Sequence, residues 1–316
     1  MIIHDIDTAA QLLNQGQLLA FPTETVYGLG ADAENVEAVS QIYRAKNRPV
    51  NHPLIVHLAS DTDVAYWAAT IPYEARCLID AFWPGPLTLI LPRAAHIPSA
   101  VAGGQDSIGL RCPSHPTAQK LLKAFSDLRM NAGVAAPSAN KFGKLSPTAA
   151  RHVIEEFTDD PSVNILVGEE SEIGIESTIL DVSRITQGIG ATLLRPGHIS
   201  REDIAQVLGY LPLSPDQQAP RASGTLKAHY APRTPLRLYQ AGKSDLTQAI
   251  VLTHVPLDGV NCSLMPNNAK DYAHELYARL HQLDKEGYHC IYVNPLPQDM
   301  AWEGVRDRVN RALAAF

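Results

Sequence analysis

The stretch Phe21-Pro22-Thr23-Glu24-Thr25-Val26-Tyr27-Gly28-Leu29-Gly30-Ala31-Asp32 sets three hydroxyls, two carboxylates and two glycines directly after the apolar run 18–21. Pro22 has no N–H to donate and ends regular pairing, so a polar loop is expected beyond it. Glycines let a backbone approach a ligand closely, and the hydroxyls of Thr23, Thr25 and Tyr27 can donate or accept hydrogen bonds. That chemistry suits a small, polar, anionic substrate.

Six further stretches carry charge or hydrogen-bonding groups. Tyr43-Arg44-Ala45-Lys46-Asn47-Arg48-Pro49 places three cations at the end of a helical pattern, where they can answer the helix dipole or hold an anion. His52-Pro53-Leu54-Ile55-Val56-His57 enters a strand through a proline, and His57 is either a satisfied core imidazole or a ligand. Ser107-Ile108-Gly109-Leu110-Arg111 ends a strand with a guanidinium, whose planar fork fits a carboxylate or phosphate. Ala135-Ala136-Pro137-Ser138-Ala139-Asn140 ends another with a hydroxyl and an amide, and Glu176-Ser177-Thr178 and Arg195-Pro196-Gly197 add two polar points beside strands. Strand ends are where α/β folds place ligands.

Several chemistries are excluded. Gly28-Leu29-Gly30-Ala31-Asp32-Ala33 formally fits a dinucleotide fingerprint. Too many residues separate it from the strand, however, and no acidic residue stands about 20 positions on to hold a ribose. There is no Walker A loop, no G-x-S-x-G elbow and no His/Cys/Asp cluster with metal-ligand spacing. Cys77, Cys112, Cys262 and Cys290 form no C-x-x-C pair and are expected to be buried thiols.

The elements that must position these groups alternate. Strands are expected at 17–21, 54–58, 87–91, 107–111, 133–136, 163–167, 177–182 and 191–194, and helices at 8–15, 34–46, 73–82, 116–126, 147–157 and 201–208. Ser146-Pro147 and Ser200 read as N-cap signals. The pattern predicts an α/β domain over 1–210, built on a twisted mixed sheet with flanking helices. From 211 to 235 five prolines leave no room for a regular element, and a segment this long is a linker or a lid. Beyond it, strands at 236–239, 249–253 and 289–293 and helices at 269–286 and 303–314 make a smaller C-terminal α/β domain over 236–316.

At 316 residues, with 45% hydrophobic and 19% charged content, the chain has the composition of a globular protein with two domains. No apolar run could span a bilayer, and Met1–Asp7 lacks a signal-peptide pattern, so a cytoplasmic location and no membrane partner are expected. Residues 1–210 carry 15 Lys+Arg against 23 Asp+Glu, and 211–316 carry 11 against 10. Basic clusters in so acidic a segment point to a particular anion.

Taken together, Pro22–Gly30, Lys46-Asn47-Arg48-Pro49, Pro53–His57, Trp83-Pro84-Gly85-Pro86-Leu87-Thr88, Pro137-Ser138-Ala139-Asn140, Glu176-Ser177-Thr178 and Arg195-Pro196-Gly197 resemble, in order, the signatures of threonylcarbamoyl-AMP synthases of the YrdC type. His229-Tyr230-Ala231-Pro232 and the extra domain resemble the long, two-domain form. The resemblance implies a YrdC-like fold and a nucleotidyltransferase reaction. L-threonine, bicarbonate and ATP give threonylcarbamoyl-adenylate and pyrophosphate, and the adenylate serves tRNA N6-threonylcarbamoyladenosine formation.

By the same resemblance, Lys46 and Arg48 are the catalytic cations. Arg48, His52, Ser107, Ser138, Asn140, Ser146, Arg195, His229 and Tyr230 are expected at ATP, and Thr25, His57, Arg111, Ala136 and Ser177 at threonine or its carbamate. His52 departs from the family, which often carries Asn or Lys there. Mg2+ is expected with ATP, held mainly by phosphate and water, so no all-protein metal site is expected. Segment 211–235 is expected to fold over the nucleotide as a lid, and the product to pass to a tRNA threonylcarbamoyl-transfer complex, with at most weak direct tRNA contact. Two other readings are a related carbamoyl-adenylate-forming enzyme, which would need acylphosphatase and zinc-finger segments absent here, and an RNA-binding module of the same fold. The acidic charge and the lack of an aromatic-rich basic stripe count against the module.

Overall fold

The computed structural model describes residues 1–316. Ten strands form one mixed sheet in the order Ile2–Ile3, Val163–Leu166, Leu18–Phe21, Gly28–Asp32, Val134–Ala135, Ile55–His57, Ser107–Arg111, Leu87–Pro92, Thr178–Asp181 and Thr192–Arg195. Leu18 and Ala20 enter one apolar cluster and Leu19 and Phe21 another, which is the alternation of a strand buried on both faces. Helices Ile6–Asn14 and Pro116–Leu128 cover one face through Leu13, Leu121, Leu122 and Phe125. Helices Val36–Lys46, Tyr73–Phe82 and Arg201–Leu208 cover the other through Ile42, Leu78 and Ile204. The fold is thus the mixed α/β sheet with flanking helices that the alternation predicts.

Three expectations change. Gly28–Asp32 is a strand antiparallel to Leu18–Phe21 and fully buried, not a loop. Its glycines serve close packing: a Cβ on Gly30 would lie 2.6 Å from Val134 Cγ1 and 2.8 Å from Phe21 Cε1. Ser146 caps no helix, because the helix runs Ala150–Glu156 behind Ala149 without a side-chain cap. Ser200 does cap its helix, in a reciprocal box with Asp203. The short elements Ile2–Ile3, Val64–Trp67 and Cys262–Leu264 carry too little periodicity to be read. Cys112 and Cys290 are buried, whereas Cys77 and Cys262 are half-buried.

The second sheet is wholly parallel, in the order Leu236–Leu238, Cys290–Val293, Ala249–Thr253 and Cys262–Leu264, with helices Ala269–Leu283 and Glu303–Leu313. Its core does not close on itself. Leu276, Tyr277, Leu280, Val305 and Val309 share one apolar cluster with Val26, Leu145, Ile175 and Tyr230 from outside the sheet. Helix Ala269–Leu283 passes so near Gly174 (φ +81°) that a Cβ there would lie 2.4 Å from His274 O. Between Gly209 and Leu236 there is no helix or strand.

Candidate active site

Strand ends converge on one cleft. Ile55–His57 and Ser107–Arg111 run parallel in register, so His57 and Arg111 stand directly opposite each other. Val134–Ala135 runs antiparallel beside them and delivers Ala136, Pro137 and Ser138 to the same place. Thr23, Thr25, Val26 and Gly28 close a second wall, Glu176, Ser177 and Arg195 a third, and Arg48 reaches in from beyond its helix. Ser223, Gly224, His229 and Tyr230 of the Pro-rich segment complete the lining.

Two buried guanidiniums face this space and share Ser223. Arg48 Nη2 donates to Ser223 Oγ (3.1 Å) and Pro53 O (3.0 Å), while Arg195 Nη1 donates to Ser223 O (3.0 Å). Arg195 also holds Ser177, through Nε to its carbonyl (3.0 Å) and Nη2 to its hydroxyl (3.1 Å), and that hydroxyl shares a 2.8 Å hydrogen bond with Thr88 Oγ1. Burial lowers the Arg48 guanidinium to about 10, and Arg195 pushes it the same way. Arg48 Nε is buried without a partner. Two buried like charges, one of them with an N–H left unpartnered, make a strong anion site.

The opposite side is gentler electrostatically. Arg111 Nη2 lies 2.7 Å from Glu24 Oε1, both side chains almost completely buried. Neither carboxylate oxygen of Glu24 has a well-directed hydrogen bond, and neither do Arg111 Nε and Nη2, so the pair is a charge contact with bonding capacity left over. His57 rests its Nδ1 3.2 Å from Ile55 O, edge-on to Phe21. Burial first, then Arg111, lowers its pKa to about 3, so the ring is neutral. Thr23 Oγ1 donates to Val26 O (2.6 Å) and lies 2.9 Å from Thr25 Oγ1, which fixes the turn that presents Thr25.

Not every expected residue lines the cleft. Lys46 is buried beneath the 137–140 turn, its ammonium donating to the carbonyls of Ser138 and Asn140. The Asn140 amide donates to Lys141 O and Lys144 O at 2.8 and 2.9 Å. Ser146 donates to Glu176, and Ser107 sits at the far start of the strand that ends in Arg111. The Ala136 N–H is already given to Ile55 O (2.8 Å). His52 is half-buried and packs edge-on against Phe142, which also meets His229 and lies 5.6 Å from the Arg48 guanidinium. His229, whose Nδ1 is buried and unpaired, is lowered to about 3, chiefly by burial.

Eight residues that line the cleft were not among those expected at ATP or threonine: Thr23, Val26, Gly28, Ile55, Pro137, Glu176, Ser223 and Gly224. Gly224 has φ +71°, and a Cβ there would lie 2.0 Å from Tyr230 Oη and 2.8 Å from Arg195 Nη1. The signal for it was present, a Ser-Gly pair inside a proline-rich segment. No cluster of three or more His, Cys, Asp or Glu side chains is placed to hold a metal.

The comparisons agree with this architecture. The Sua5/YciO/YrdC family model, described as "Telomere recombination", matches residues 11–197, and the model for "Threonylcarbamoyl-AMP synthase, C-terminal domain" matches 199–314. A threonylcarbamoyl-AMP synthase of Pyrococcus abyssi is 34% identical, covering 97% of this chain and 93% of its own. One of Bacillus subtilis is 39% identical, covering 78% of this chain and 69% of its own. The crystal structure of P. abyssi Sua5 complexed with L-threonine superposes with a TM-score of 0.88 at 32% identity, covering 100% of this chain and 98% of that one. With both halves matched and the relationship running through the whole length, the chain belongs to the threonylcarbamoyl-AMP synthase family.

Proposed function

We propose that the cleft makes L-threonylcarbamoyl-adenylate and pyrophosphate from L-threonine, bicarbonate and ATP, as a nucleotidyltransferase. The observation that carries this reading is the division of one cleft between a doubly cationic side, Arg48 and Arg195, and a carboxylate-and-amine side, Arg111, His57 and Thr25. The threonine carboxylate pairs with Arg111, and the Thr25 and Ser177 hydroxyls, which line the same cleft, take the substrate's other polar groups. Neutral His57 adds a polar contact without placing a second positive charge beside the amine.

The threonine amine combines with bicarbonate, losing water, to give a carbamate. A carbamate oxygen then attacks the α-phosphorus of ATP, and the bond to the pyrophosphate oxygen breaks. This step needs alignment and charge neutralisation, not a protein nucleophile. Arg48 and Arg195 supply the neutralisation, and Ser138 and the 223–230 segment border the same space. Lys46 serves by tying down the Ser138–Asn140 turn.

The carboxylate that lines the cleft, Glu176, is already committed to Arg308, Tyr277 and Ser146, so the residues present fit a metal carried by the substrate and not by the protein. Mg2+ brought in with ATP would be held by phosphate oxygens and water, and would supply charge neutralisation on the pyrophosphate. Segment 211–235 acts as a lid that keeps water from the adenylate, and the product passes to a tRNA threonylcarbamoyl-transfer complex in the cytoplasm.

Pyrophosphate release should require both L-threonine and bicarbonate, with serine slower because one methyl contact is worth about 1–3 kcal/mol. Equal rates with serine, or full activity in CO2-free buffer, would contradict the assignment.

A further inference from the structure

We propose that Arg308, carried by the second domain, is a positioning residue for the adenylating cleft: its guanidinium fixes the main chain on either side of the Ser177–Arg195 pair. The side chain is completely buried at the domain junction. Nη2 donates to Glu176 O (3.0 Å), immediately before Ser177, and Nη1 donates to Pro196 O (2.9 Å), immediately after Arg195. Nε donates to the Glu176 carboxylate (2.6 Å), and Nη1 also reaches Asp307 (2.7 Å). One planar fork therefore bridges the two segments that present the hydroxyl and the guanidinium of the cleft wall.

The same group touches the covering segment. The Arg308 guanidinium lies 5.4 Å from the Tyr230 ring centroid, and Tyr230 Oη contacts Gly224 O at 3.4 Å. Burial alone would raise the Glu176 carboxyl, but Arg308, Arg195 and the Ser146 hydroxyl outweigh it and hold it below the ordinary value. Removing Arg308 leaves a buried carboxylate facing one cation fewer and frees both carbonyls at once. Lysine keeps the charge but not the fork, so it cannot bridge Glu176 O and Pro196 O together.

The inference rests on the adenylate-forming reading of the cleft, and ATP affinity separates the two because it needs no turnover. In the full chain, Arg308→Lys should weaken ATP binding by calorimetry about tenfold and lower kcat/KM for pyrophosphate release by about 10–100-fold. The acid limb of its pH–rate profile should move to higher pH as Glu176 protonates more readily. If Arg308→Lys unfolds, the paired variant Glu176→Gln/Arg308→Gln, which buries no lone charge, carries the test. Positioning predicts that the paired variant regains thermal stability while ATP affinity and turnover stay low. Wild-type ATP affinity in either folded variant would overturn the proposal. A wild-type chain that binds ATP, loses affinity on Arg308→Lys and yet releases no pyrophosphate would keep the proposal and refute the reaction.

Discussion

Ser223 joins the two cleft cations, its hydroxyl to Arg48 and its carbonyl to Arg195, so a change at either guanidinium is felt at the covering segment. Arg48→Ala should lower turnover by about two orders of magnitude, the scale of losing one electrostatic stabiliser, and steady-state pyrophosphate release measures it. Lys46→Met should behave differently. It strands the carbonyls of Ser138 and Asn140, at about 1–3 kcal/mol each, so the urea midpoint should fall along with activity. An unchanged midpoint would show that the ammonium does not hold the turn. Gly224→Ala forces a side chain into a left-handed backbone against Tyr230, a strain of about 1–3 kcal/mol, and should raise the KM for ATP by roughly tenfold with the fold intact. Thr25, Arg48, His57, Arg111, Ser138, Ser177 and Arg195 were legible in the sequence because each sits beside a strand end or a helix end. The inward commitments of Lys46, Asn140 and Ser146 were not. A polar side chain that serves a backbone carbonyl from a distant segment looks the same in sequence as one that serves a ligand.

The helix Ala150–Glu156 meets the helix Ala269–Leu283 through His152 stacked on His281, with ring centroids 4.1 Å apart. Burial first, then the neighbouring His281, lowers His152 to about 3, and burial lowers His281 as well. His57 and His229 are likewise neutral in the fold. Their folded pKa values lie below the ordinary histidine value near 6.5, so the unfolded chain takes up protons first as pH falls. Their contribution to stability is therefore present above pH of about 6.5 and is lost on acidification toward 3, with a slope of up to about 1.4 kcal/mol per pH unit for each of the enclosed rings His57 and His229. The urea midpoint should be lower at pH 5 than at pH 7.5, and His229→Gln should flatten that dependence; a pH-independent midpoint would contradict it. Long amphipathic helices such as Pro116–Leu128 and Ala269–Leu283 were readable from their spacing alone. The strand Gly28–Asp32 was not, since a Gly-x-Gly sequence reads as a turn until the Phe21 ring that demands the missing side chains is seen beneath it.

Across the whole molecule, the second domain is anchored by a shared core and by charge. Val26, Leu145, Ile175 and Tyr230 lie in its apolar cluster, and Glu176 finds Tyr277 and Arg308 there. Ending the chain after Gly209 should expose that apolar face, leave Glu176 without two of its partners, and weaken activity or allow ATP hydrolysis without product. Limited proteolysis within 211–235 should slow when ATP and threonine are added. Ligand-independent cleavage together with full activity of the shortened chain would reduce the segment to a tether. None of this coupling could be read along the sequence, which gives two domains and a proline-rich join but not the burial of one domain's arginine behind the wall of the other's cleft. The reaction itself is tested most directly by incubating the full chain with ATP, L-threonine and carbon-13 bicarbonate and weighing the adenylate formed. A threonylcarbamoyl-adenylate carrying the labelled carbon, formed only when all three substrates are present, is the predicted result; an unlabelled adenylate, or none while ATP is consumed, would contradict it.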